Sequence, residues 1–388
     1  MDNKQEYGIG DRMVHTASAH KMSPEVELVL LLSTPTLREV EVERIRVLAR
    51  GILDWNRVFG MLVLHRTSGI AWQNIVDHGM QRDVFRPVFA LRELETMFKG
   101  VRIIAEEQMD HTVPLVEELE KAGIPCALLK GAAVARMGYR ETGMRMFGDN
   151  DLLFDRAHLA EVGALLKQQG YLQGVYDWTT GAAKPAARRD VLLHPTTSHE
   201  TFPYVKATPE ARISRIHCVD VHFSVDLLTS NHNDDLVRDL LSRRIEIVLR
   251  EDWRLWTLSQ EDMFIFVCIH FQREACNRRE AESLKDLLLC KIIDIMALLE
   301  SAEYPIDLGS MVERARALGF AEETYFALSY LDGLYPGRVP GEVLAALRPD
   351  SVEYLDQLTF NAEPFHTWAE PMTTRFFNPL RLLELGGE

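Results

Sequence analysis

Apolar residues along the first hundred positions recur at helical spacing. Val40, Ile45, Leu48, Ile52, Val58 and Leu62 follow a period of three to four residues, which predicts several helices up to about Phe98. Ser23-Pro24 marks the start of the first, with a hydroxyl at the N-cap and proline at the first helical position. Near residue 110 the pattern changes. A helix over 112–122 ends at Gly123, a left-handed C′ position, and 124–129 (IPCALL) is a short continuous apolar run of the kind that forms a buried strand. Lys130-Gly131 stops that strand, and 132–137 opens another helix. A second strand over 148–154 leads to a helix over 158–169, closed by Gly170. Strand–helix–strand–helix order predicts an α/β core.

Residues 179–214 are rich in Ala, Pro, Thr and Arg and predict a long loop or irregular insertion, followed by a strand over 216–227. After Trp256 helical periodicity returns. Ser259-Gln260-Glu261-Asp262 reads as a capping box, and the period continues through 284–299, 311–318 and 323–334. Beyond Pro336 the pattern weakens, and the last twenty residues are expected to wrap a neighbouring surface. The expected organisation is a helical region over 1–108, an α/β core over 109–256 with its insertion, and a helical domain over 257–388. The fold class is α+β, or mixed α/β: a small mixed sheet with helices, flanked by helical regions. There is no internal repeat.

Length and charge narrow the function classes. A chain of 388 residues suggests two or three domains. The net charge of -15, from 43 basic and 58 acidic residues, disfavours a sequence-independent nucleic-acid binder, which needs a basic face. Five cysteines (Cys126, Cys218, Cys268, Cys276, Cys290), with no CxxC pair, predict free thiols in a reducing cytoplasm. The first twenty residues lack the apolar core of a signal peptide, and the longest apolar runs fall short of the roughly 20 residues that span a bilayer. The expectation is a cytoplasmic protein with no membrane partner.

Three pieces of the core carry candidate chemistry. Asp149-Asn150-Asp151 lies on a predicted strand, so both aspartates project from one face and Asn150 from the other. Two carboxylates roughly 7 Å apart by backbone rise can converge on hard cations such as magnesium, which favours oxygen ligands and keeps waters and phosphates as the remainder. On the strand over 217–223, Cys218, Asp220 and His222 share one face, and an aspartate amid apolar neighbours needs a counter-charge. A metal shared with the first pair would supply it. The turn at Lys130-Gly131-Ala132 lets backbone amides approach a phosphate at a helix N-terminus. Each piece also has an ordinary explanation: an exposed pair at a strand end, a half-buried hydrogen-bonded histidine, a turn that binds nothing. His65 and His78 sit singly among helical residues, as surface or satisfied core groups do.

In order and context the set resembles the DNA polymerase β-type nucleotidyltransferase superfamily, and within it the bacterial uncharacterised nucleotidyltransferases. The matching stretches are 128–133 (LLKGAA), 145–153 (RMFGDNDLL) and 219–223 (VDVHF). Further matches lie at 258–262 leading to Cys268-Ile269-His270, and at 291–295 (KIIDI). The resemblance implies that Asp149, Asp151 and Asp220 are the catalytic, metal-holding triad. Gly131 and Ala132 would then shape the phosphate turn, and Lys130 and Arg145 would contact the triphosphate. His222 and His270 match histidines of the group. It also implies two magnesium ions, with manganese as a substitute, and an NTP such as ATP as substrate. The acidic charge favours a small molecule, peptide or protein over nucleic acid as acceptor. Two departures stand out. Ala132 lacks the hydroxyl or second glycine common at that turn, and the polar Asn150 sits where an apolar residue is usual, so its amide needs a partner on the core side. Both leave room for a nucleotide-binding or toxin-like regulatory module with weak or no catalysis. A zinc hydrolase built from His217, Asp220, His222 and His270 has poor geometry, because His217 and His222 fall on opposite faces of one strand.

Overall fold

The computed structural model describes residues 22–82, 85, 87–250 and 253–385, so the expectation made for residues 1–20 lies outside the described residues. Among the described residues five α-helices come first: α1 (Pro24–Leu32), α2 (Glu39–Arg50), α3 (Trp55–Leu64), α4 (Ser68–Asp77) and α5 (Val88–Lys121). The start signal at Ser23 acts as expected, since its side chain accepts the Val26 N–H at 3.4 Å and Pro24 occupies the first helical position. The helix expected over 112–122 is the last third of α5, which runs unbroken through residue 108 and through Pro114.

A mixed sheet of eight strands follows, in the spatial order β4-β3-β5-β6-β2-β1-β8-β7. In chain order its parts are β1 (Cys126–Leu128), α6 (Gly131–Gly138), β2 (Asn150–Phe154), α7 (Leu159–Gln168), β3 (Leu172–Asp177), β4 (Ala182–Pro185), α8 (Arg188–Thr197), β5 (Tyr204–Ala207), β6 (Ile216–His222), α9 (Asp234–Ser242), β7 (Ile245–Arg250) and β8 (Trp253–Thr257). At its centre β2 pairs antiparallel with β1 and parallel with β6. Gly123 (φ +73°) and Gly170 (φ +86°) take the left-handed caps their positions implied.

The loop expected over 179–214 is instead structured. It contributes β4 and β5 to the sheet and carries α8 between them. The misreading has a physical cause. β4 is a largely exposed edge strand of Ala, Lys and Pro, and α8 buries none of its residues, so neither shows an apolar period.

The C-terminal part is helical: α10 (Gln260–Ala275), α11 (Arg278–Glu282), α12 (Leu289–Leu299), α13 (Leu308–Leu318), α14 (Ala321–Leu334) and α15 (Gly341–Leu347). A hairpin of β9 (Gln357–Phe360) and β10 (Glu363–Thr367) and the short α16 (Met372–Arg375) complete it. Ser259 caps α10, accepting the Asp262 N–H at 3.3 Å. The final segment packs back on the helices, with Phe377 edge-on to His65 and Arg381 paired with Asp286.

The sheet has two differently used faces around β2. Side chains of Asn150 and His217 point toward α5, where they meet Gln108 and Thr112. Asp151 and His222 point the other way, toward Lys130 and the His270 of α10. One face is therefore closed by a helix, and the other is available for chemistry.

Candidate active site

The turn after β1 is unusual in its backbone. Lys130 (φ +34°) and Gly131 (φ +42°) both take positive φ, which a glycine adopts freely and a lysine only at a cost of about 1–3 kcal/mol. A hydrogen bond from the Leu129 N–H to the Asp151 carbonyl (2.8 Å) ties the turn to β2. The strain places the Lys130 ammonium over the carboxylates, 3.2 Å from Asp151 Oδ1. The same ammonium donates to His270 Nε2 at 2.9 Å, and His270 Nδ1 lies 3.0 Å from Glu274 Oε2. That set of partners makes Nδ1 the protonated nitrogen of a neutral His270.

Asp149 lies one residue before β2 and is exposed, whereas Asp151 is buried within it. Asp151 is in register with Asp220 across the parallel β2–β6 pair, so the two side chains share a face about one strand spacing, about 4.8 Å, apart. Asp149, two residues earlier, projects on that face as well. Burial opposes a charge on Asp151, but Lys130 and a hydrogen bond from His222 Nε2 (2.8 Å) outweigh it and hold the carboxyl well below the usual range. The same nitrogen of His222 lies 3.2 Å from Glu200 Oε2. Burial would lower His222, yet its bond to Asp151 wins and the imidazole is raised above its ordinary value. Asp220 is the opposite case. Burial, then the charges of Glu200, Asp151 and Asp149, push it up to about 7.

Asn150 finds the partners its position demanded. Its amide accepts from Thr112 Oγ1 (2.9 Å) and donates to Gln108 Oε1 (3.0 Å) and to the Cys218 carbonyl (3.1 Å). His217 belongs to this rear network too, accepting from or donating to Thr112 and Tyr171. It is thus separated from His222 by the sheet, as strand alternation implied.

Asp149, Asp151, Lys130 and Gly131 line a cavity of about 580 Å³, within the range of small-molecule sites. The half-buried Asp220, beside Asp151 in register, and the buried His222 are not among its lining residues. Two further residues of the expected set have additional structural settings. The guanidinium of Arg145 is held by Asp294 through two bonds of 2.8 Å and donates to the Gly131 carbonyl at 2.9 Å. It braces the turn while also lining the cavity. Ala132 is buried, and its side chain lines a separate pocket behind the turn with Ala135 and Phe147.

Other residues of the site had no assigned role in the sequence. Glu274 and Lys291 meet at 2.5 Å on the cavity wall, and Asp294 also accepts from Tyr139 at 2.7 Å. His199 and Glu200, from the supposed loop, converge with His222 to within 4.8 Å. Burial and the neighbouring His222 push His199 down to about 2, so it is neutral. The i, i+4 spacing of His270 and Glu274 on one helix face was a readable signal. His199 and Glu200 carried none, because they reach the site through an isolated bridge between Glu200 and His222.

A search of curated proteins finds no match. Among solved structures, an antigenic nucleotidyltransferase-like protein from Paracoccidioides brasiliensis is similar at 14% identity and a TM-score of 0.32, over 62% of this chain and 92% of that one. A family model described as "Uncharacterised nucleotidyltransferase" matches residues 52–336, well over half of the chain. The match takes in the strained turn and all three aspartates, and the protein belongs to that nucleotidyltransferase family.

Proposed function

We propose that the protein is a magnesium-dependent nucleotidyltransferase. It moves a nucleoside monophosphate group from an NTP to a hydroxyl on a small molecule, peptide or protein and releases pyrophosphate. The observation that carries this reading is the in-register pair Asp151 and Asp220, with Asp149 two residues ahead on the same face, beside a strained Lys130-Gly131 turn. The family supports NTP-dependent transfer, and the net charge of -15 favours an acceptor other than bulk nucleic acid.

The donor set suits magnesium. All three candidates are carboxylates, and among the described residues Asp220 makes no ion pair while facing three negative neighbours and one imidazole, that of His222. A cation there would relieve that repulsion. Asp149 and Asp151 would hold magnesium, with Asp220 completing the set. Bound metal would neutralise the triphosphate and polarise its α-phosphate. Lys130, moving from Asp151 onto a phosphate oxygen, would add positive charge where it develops in the transition state. Gly131, at the start of α6, presents its amide to the same group. Asp220 takes the proton of the acceptor hydroxyl. The acceptor oxygen then bonds to the α-phosphorus, the bond from that phosphorus to the bridging oxygen breaks, and pyrophosphate leaves with the electron pair. His222 keeps Asp151 oriented throughout.

The test is incubation of the protein with each α-labelled NTP, magnesium and fractions of a cell extract as acceptor source. Label transfer with pyrophosphate release is expected from the wild type, and its abolition by EDTA and in the Asp149→Ala/Asp151→Ala variant. Equal turnover by wild type and variant would rule the assignment out.

A further inference from the structure

Four cationic side chains line the cavity in front of Asp149 and Asp151: Arg66, Lys130, Arg145 and Lys291. Three of them are engaged by carboxylates, Lys130 by Asp151, Arg145 by Asp294 and Lys291 by Glu274. Arg66 differs. It is exposed, and among the described residues its guanidinium has neither a carboxylate nor any other hydrogen-bond acceptor.

Its backbone is also out of the ordinary. Arg66 has φ +57°, uncommon for a residue with a side chain; it is the left-handed C′ residue that ends α3. Here it is held on both sides. The Arg66 N–H donates to the Val63 carbonyl at 3.1 Å and the Thr67 N–H to the Leu62 carbonyl at 2.9 Å. His65 accepts twice from the start of α12, from the Cys290 N–H at its carbonyl and from the Leu289 N–H at Nδ1, each at 3.2 Å. The turn is thereby fixed beside Cys290 and Lys291, which are themselves cavity residues.

We propose that Arg66 is a polyphosphate-binding residue, supplied by the N-terminal helices to the β- and γ-phosphates of the nucleotide; this rests on the nucleotidyltransferase reading. The α-phosphate has to sit at Asp149 and Asp151 for transfer, so the remaining two phosphates extend into the cavity that Arg66 faces. A planar guanidinium matches two phosphate oxygens at once, which an ammonium cannot do. In a chain of net charge -15 the polyanion depends on such local cations.

Calorimetric titration of the full chain tests this. The probes are the magnesium complexes of ATP, GTP, CTP and UTP, the matching nucleoside monophosphates, and inorganic tripolyphosphate. The variants are Arg66→Gly, which tolerates the left-handed backbone and so keeps the fold, and Arg66→Lys. For Arg66→Gly the expected result is at least a tenfold loss of affinity for the bound triphosphate and for tripolyphosphate, with monophosphate affinity unchanged. Arg66→Lys should recover part of the loss. Equal triphosphate affinity in wild type and Arg66→Gly overturns the inference and leaves the nucleotide reading intact. An equal loss for monophosphate and triphosphate overturns it as well, because it places Arg66 at the base or sugar. Failure of the wild type to bind any triphosphate overturns both.

Discussion

Asp149 and Asp151 are two residues apart, share a face and differ sharply in surroundings, which lets their roles be separated by experiment. Asp149 is exposed and makes no ion pair among the described residues, so Asp149→Asn should leave stability within about 0.5 kcal/mol of wild type while nucleotidyl transfer falls by about a thousandfold. Asp151 is buried against Lys130 and His222. Asp151→Asn strands the Lys130 charge and should cost about 3 kcal/mol in urea unfolding as well as activity. Identical unfolding midpoints for the two variants would contradict this division. His65 supports a second residue-level prediction. Burial, with the Arg381 charge nearby, pushes it down to about 4, and its Nδ1 must stay unprotonated to accept the Leu289 N–H. Between the unfolded value of about 6.5 and the folded value near 4, the unfolded chain binds more protons. The contribution of His65 is therefore fully present above pH 6.5 and falls as pH drops toward 4, by up to about 1.4 kcal/mol per unit. His65→Asn keeps an acceptor without the titration, so its stability should fall less steeply over that window. Coincident slopes of urea midpoint against pH would show that His65 does not titrate in this way.

Among the elements, those with a one-sided apolar period were legible and the others were not. The strand at 126–128, the glycine caps and the start of α10 followed from local pattern, because each is set by residues within a turn of it. The chemistry-bearing strands β2 and β6 were legible for the same reason, although Asp149, expected on the first of them, lies one residue before β2. β4, α8 and the Glu200 bridge were not, since their positions come from pairing with distant strands rather than from their own burial. The interlocking of α4, α5 and the turn over 142–144 was equally hidden. A Cβ on Gly69 of α4 would sit 2.2 Å from the Gly143 carbonyl oxygen, and one on Gly143 would meet the Phe98 ring of α5 at 2.6 Å. The turn in question leads directly into Arg145. Gly69→Ala should therefore destabilise the protein by about 2 kcal/mol, because backbone has to move on one side or the other. If its melting curve matched that of wild type, the turn would be more compliant than its packing indicates.

At the scale of the whole molecule, the cavity is assembled from parts far apart in sequence. Arg66, Ile70 and Ile104 come from the N-terminal helices, Lys130 to Asp151 from the sheet region, and His270, Lys291 and Asp294 from the C-terminal helices. Long-range ion pairs join these parts, and such pairs leave no trace in local sequence, which is why the bracing role of Arg145 was not legible there. Its bidentate pair with Asp294 spans 149 residues, and Tyr139 completes the cluster. Both partners are largely buried, with side chains 13% and 11% exposed, so removing one leaves the other's charge uncompensated. Asp294→Ala should cost about 3–5 kcal/mol and loosen the Gly131 turn, which Arg145 also holds through its carbonyl. If the brace acts through charge pairing alone, the apolar double variant Arg145→Met/Asp294→Leu should recover most of the stability, since a buried pair contributes little net free energy over packed hydrocarbon. It should not recover nucleotide affinity, because the Gly131 carbonyl loses its donor and the turn its anchor. Chemical denaturation and calorimetric nucleotide titration on the same two variants separate these effects. Recovery of both stability and affinity in the double variant would show that Arg145 serves the fold and has no part in shaping the site.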